Sequence, residues 1–152
     1  MSENQKRDKG ATRDLYEKTL PLLANGIHAK LAEITPLFRD FHLEKMMNTW
    51  SRSSEDRSDL PISIENGNVL QMGLRLRLED FQRAGVIPFS IVKDMVFNLE
   101  DTVYQVVSDK GEVWQEKGYY QQWSKQEVED LTRRWCDALI EDITNRLEQL
   151  MG

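Results

Sequence analysis

The chain has 152 residues, a formal charge of −6, 39% apolar and 30% charged residues, which fits one globular domain with its own core and excludes wholesale disorder. With one cysteine, Cys136, and two histidines, His28 and His42, an internal disulfide is excluded and the usual cysteine- and histidine-rich metal patterns are not met. The whole net charge falls in residues 95–152, residues 1–94 being neutral; nucleic acid is therefore not expected as the main ligand, because phosphate binding draws on a basic face.

In chain order, residues 1–11 are expected to form a flexible polar tail ahead of a single helical domain over residues 12–152. Met1 to Gly10 holds no apolar stretch that could serve as a signal peptide. The longest uncharged run, Thr19 to Ala29, is broken by Pro21, Asn25 and Gly26, far short of the roughly 20 apolar residues of a membrane span. Together with the lone cysteine, this predicts a cytoplasmic protein with no membrane attachment.

Tyr16, Leu20, Leu23, Ile27, Leu31 and Ile34 recur at helical spacing, with Pro21 predicting a kink or break near residue 20. Thr35-Pro36 reads as a cap and first-turn proline opening a second helix to about Trp50, with Phe38, Phe41, Met46 and Met47 among its apolar members. Residues 51–59 read as a polar loop. Asn66-Gly67 is a hairpin signal, and Leu70, Met72, Leu74, Leu76 and Leu78 alternate as in a strand. The same stretch supports a helix through Leu70, Leu74, Leu78 and Phe81, closed by Gly85. Because residues 78–84 are polar and poor in β-branched side chains, a helix over about 68–84 is favoured. Ser90 can cap a further helix whose broad apolar face runs from Ile91 to Val107. Residues 109–123, punctuated by Gly111 and Gly118, read as a loop or short irregular hairpin. Ser124-Lys-Gln-Glu127 is a capping box, with Trp123 and Val128 as its hydrophobic staple, and a stripe from Val128 to Leu150 follows. The fold class expected is all-α: an antiparallel bundle of four to five helices, with room for one short irregular hairpin.

No chemistry stands out. The sequence contains no Glu-x-x-His, Cys-x-x-Cys, Gly-x-Ser-x-Gly or Walker motif, so neither metal, cofactor nor catalysis is expected. Cys136, next to Trp135 in mid-helix, reads as a small buried hydrophobe. The acid pairs Glu100-Asp101 and Glu141-Asp142 read as solvated surface.

Function then falls to a surface. Trp114, Tyr119, Tyr120 and Trp123 cluster in the loop-like segment, and such side chains are enriched in binding hot spots. They are the candidate partner-binding residues, with Trp123 and Trp114 also explicable as core. The leading expectation is a small adaptor, inhibitor or regulatory accessory protein acting by protein–protein binding, with self-association through the last helix as a further option. The alternative is a DNA-associated regulator. Ala84-Gly85-Val86 before Ser90-Ile91 resembles the turn of helix-turn-helix repressors, with Arg75, Arg77, Arg83 and Lys93 as candidate nucleic-acid contacts. Small size and acidity also fit a secretion-type chaperone.

Overall fold

The computed structural model describes residues 6–47 and 61–151. Trp50 and the polar run 51–59 lie outside these residues.

The N-terminal stripe forms a helical run in three parts: α1 (Lys9–Asp14), a π-helical turn (Leu15–Thr19) and α2 (Leu20–Lys30). Asp8 caps α1, its carboxylate accepting from the Ala11 amide at 2.7 Å. Pro21 has no N–H to give. Just before it, the Leu20 N–H reaches back five residues to the Leu15 carbonyl, and this wide turn lets the helix pass the proline without breaking. Leu15, Leu20, Leu23, Ile27 and Leu31 are all buried. The tail expected over residues 1–11 is attached by Arg7, whose amide donates to Asp101 O at 2.8 Å and whose guanidinium donates to Val69 O at 2.6 Å.

Beyond Leu31 the all-α expectation fails. Thr35-Pro36 opens only a 3₁₀ turn (Thr35–Leu37), and five strands follow: β1 (Phe38–Met47), β2 (Gln71–Phe81), β3 (Ile91–Leu99), β4 (Val103–Val107) and β5 (Val113–Gly118). They form one antiparallel meander in the order β1-β2-β3-β4-β5. The chain is therefore an α/β protein with helical segments at its two ends, not a bundle of four to five helices.

The physical reason lies in periodicity. A run that is apolar at every second residue is also apolar at every fourth, so Leu74 and Leu78 fit both templates. The strand period also places Met72, Leu74, Leu76 and Leu78 on one buried face, where they oppose Phe97, Met95, Lys93 and Ile91 of β3. One face buried against helices outweighs the weak local preference of residues 78–84 for a helix. The broad apolar face over Ile91 to Val107 is likewise two strands, folded at Glu100, whose amide donates to Val103 O at 2.9 Å.

The helix-turn-helix reading falls with the bundle. Residues 74–100 are a β-hairpin turned at Gly85, which takes φ +82°, the left-handed region that glycine enters without strain. Arg75 is clasped to Asp94 at 2.8 and 3.0 Å. Lys93, 5% exposed, is held by Asp142 at 2.7 Å and Asp109 at 3.4 Å. Arg83 sits in the exposed turn and Arg77 in β2. All four cations lie on this hairpin, Arg75 and Arg77 in β2, Arg83 in the turn and Lys93 in β3, and none on a recognition helix.

The last helix, α3 (Lys125–Met151), starts where the capping box predicts. Ser124 Oγ accepts from the Glu127 amide at 3.0 Å and Glu127 Oε1 accepts from the Ser124 amide at 2.8 Å. Its stripe of Leu131, Trp135, Cys136, Leu139 and Ile143 is buried in the chain's own core, beside α2, where Gly26 abuts Thr132. Trp135 also donates its indole N–H to Asp94 O at 3.2 Å, tying α3 to β3. The stripe on which pairing of two last helices was expected is buried within the chain as far as Ile143, while Ile140 and Leu150 are exposed.

Candidate binding site

Gly118 ends β5, and a short connection carries the chain to the cap of α3. Gln121 folds back on it, its amide donating to Gly118 O at 3.1 Å and its side chain accepting from the Gly118 amide at 2.7 Å. This fold stands Tyr119, Tyr120 and Trp123 against the N-terminal helical run. Between them opens a cleft of about 430 Å³, walled by Asp14, Lys18, Thr19 and Leu22 on one side and by residues 119–123 on the other.

Each ring is held in place. Tyr119 packs on Tyr104 at a centroid distance of 5.3 Å, and its hydroxyl donates to Glu100 O at 2.6 Å. Trp123 donates its indole N–H to the Tyr104 hydroxyl at 2.7 Å. Tyr120 is 52% exposed, yet its hydroxyl donates to Asp8 Oδ2 at 2.7 Å. That bond lowers the Asp8 carboxyl below its ordinary range and raises the Tyr120 phenol. Burial pushes the Tyr104 and Tyr119 phenols up to about 12, so both stay neutral across the physiological range, Tyr104 as an acceptor and Tyr119 as a donor. Leu22 completes the cleft at 45% exposed, a large apolar side chain turned away from the core.

Beneath the cleft Lys117, only 8% exposed, is bonded by Glu127 at 2.9 Å and donates to Gln122 O at 2.9 Å. The Lys117 bond, helped by the Ser124 amide, draws the Glu127 carboxyl down to about 2. A carboxylate depressed on folding adds stability that is present above its ordinary pKa of 4.5 and lost as pH falls toward 2. Glu127→Gln keeps the capping box and removes the charge. It is expected to cost about 1–2 kcal/mol near neutral pH, allowing for the partial exposure of Glu127, and to flatten the fall of melting temperature between pH 4.5 and 2. Thermal scans of both proteins across that range are the check; parallel curves would deny the pair its role.

Three of the four aromatic residues singled out from the sequence meet at the cleft. Trp114 does not. It lies in a separate hollow beside α3, with the Arg134 guanidinium 4.5 Å from its ring centroid. The N-terminal wall went unforeseen, although Leu22 carried a signal: it is a leucine off the buried stripe of Leu20, Leu23 and Ile27.

For chemistry the site offers little besides surface. Burial raises the Cys136 thiol to about 11, so it is held as the unreactive thiol. Among the described residues no group of three or more His, Cys, Asp or Glu is placed to hold a metal ion, and no helix is long and apolar enough to cross a membrane. No protein-family model matches the chain, and neither a curated protein nor a solved structure is significantly similar to it.

Proposed function

We propose that this chain is a small accessory protein that acts by binding another protein, taking a segment rich in apolar side chains into the cleft between Leu22 and residues 119–123. The observation that carries this reading is Tyr120, an exposed ring tethered by its hydroxyl to Asp8 at 2.7 Å. An aromatic side chain fixed before its partner arrives loses little conformational entropy on binding. Leu22 and Trp123 beside it supply apolar area. Thr19, Gln121 and Gln122 supply hydrogen-bonding groups that can orient an extended main chain.

A peptide library displayed on phage and selected on the folded chain tests this. Selected peptides are expected to share leucine or aromatic positions. Tyr120→Ala and Leu22→Asp, both at exposed sites, are expected to weaken them by roughly 30-fold, the loss typical of a hot-spot truncation. Peptides that bind both variants as well as the parent chain would reject the cleft.

A further inference from the structure

We propose that two copies of this chain pair through their β1 strands, antiparallel about a two-fold axis at Leu43, joining two five-stranded sheets into one. This goes beyond partner binding at the cleft and does not depend on it.

β1 is the terminal strand of the meander, and among the described residues none pairs with its outer edge. Main-chain groups alternate in direction along an antiparallel strand. The Leu99 amide donates to Leu70 O, so even-numbered residues of β2 face β3 and odd-numbered ones face β1. Their β1 partners in the register Gly73↔Met46, Arg75↔Glu44 and Arg77↔His42 are even-numbered. The N–H and C=O groups of Phe41, Leu43 and Lys45 therefore point outward. β1 has no proline in its ten residues, the residue that closes a sheet edge by removing a donor; it does carry Arg39, Asp40, Glu44 and Lys45, charges that a second strand has to match rather than meet at random.

The side chains select a register. Residues directly opposed across such a pair share a face of the sheet, so a two-fold must oppose odd with odd and even with even. Centring on His42 sets Asp40 against Glu44 and Arg39 against Lys45. Centring on Glu44 or Lys45 opposes each to its own like charge. Centring on Phe41 drives residues 45–47 against the Thr35–Leu37 turn. Centring on Leu43 opposes Leu43 to itself, His42 to Glu44, and Lys45 to the ring of Phe41, with no like charges facing each other. His42, Glu44 and Lys45 are all exposed in the single chain; the Lys45 ammonium lies over the Tyr16 ring at 4.4 Å and would exchange that ring for Phe41 of the second copy on pairing.

The full chain is expected to sediment as a dimer at high concentration and as a monomer on dilution, with no ligand present. In the dimer, the amides of Phe41, Leu43 and Lys45 should exchange hydrogen at least roughly tenfold more slowly than in dilute solution. Lys45→Pro removes an outward N–H and leaves the β1–β2 ladder intact, so it should give a folded monomer at every concentration. A monomer throughout would overturn the proposal, as would a dimer in which those three amides exchange freely. A folded Lys45→Pro chain that still dimerises would do the same. Should Lys45→Pro fail to fold, the exchange of the three amides in the unaltered chain decides.

Discussion

Gly73→Val is expected to leave no cooperatively folded protein. A Cβ on Gly73 would overlap the carbonyl oxygen of Met95 and crowd Val96 Cα at 3.2 Å, and both neighbours are main chain, unable to swing aside. The clash falls where β2 meets β3, in the middle of the sheet, with Gly73 opposite Met46 on one side and Val96 on the other. Overpacking of side chains usually costs about 1–3 kcal/mol. Here strand must part from strand, and a loss above about 4 kcal/mol is a large fraction of the 5–15 kcal/mol that holds a domain together. Near-ultraviolet circular dichroism and a denaturant titration read the result. A sigmoidal transition close to that of the parent would mean that β2 and β3 do not approach at this point.

Trp135→Ala is expected to cost about 3–5 kcal/mol, the range for deleting a large buried aromatic side chain. Trp135 is among the largest fully buried side chains, and its indole N–H reaches Asp94 O at 3.2 Å. It therefore anchors α3 to the sheet by both volume and bond. Trp135→Phe keeps most of the volume and drops the bond, so it should lose about 1–2 kcal/mol. Urea midpoints for the two variants separate packing from hydrogen bonding. Equal losses would assign the anchor to the bond; a negligible loss in both would remove Trp135 from the core.

The helical ends were legible in the sequence because their signals are local. The Ser124–Glu127 box and the Leu20, Leu23, Ile27 stripe each lie within a few turns of one helix. The sheet was legible only in part. Leu74, Leu76 and Leu78 showed the two-residue period, but in β1 only Phe41-His42-Leu43-Glu44 alternates, flanked by Arg39-Asp40 and Lys45-Met46-Met47, which do not. On β3 the period was masked by Lys93, a charged residue at an inward position. It is tolerated there only because Asp142, far along in sequence, and Asp109 close on it. No window around residue 93 contains Asp142. The Asn66-Gly67 signal marked a turn, with Gly67 at φ +67° and its amide bonded to Ile64 O at 3.0 Å, on the approach to β2.

The cleft divides in the same way. Tyr119, Tyr120 and Trp123 were visible as a cluster because they are neighbours in sequence. Asp8, which orients Tyr120, stands 112 residues away, and Leu22 arrives from the first helical run. Trp114 looked equivalent to the other rings by type and spacing. It lies near the start of β5, where the ladder with β4 shifts register between Val106 and Val107, whereas the other three rings follow the end of that strand, a separation set by the strand's length that residue type alone does not reveal.

The most direct test of the binding role is a titration of the isotopically labelled chain with a selected apolar peptide, followed amide by amide by nuclear magnetic resonance. Chemical-shift changes are expected to centre on Leu22 and on residues 119–123, and to disappear in Tyr120→Ala while the rest of the spectrum stays in place. Changes confined to the β1 edge or to the face of the sheet that carries Arg75 and Asp94, with the cleft silent, would contradict it.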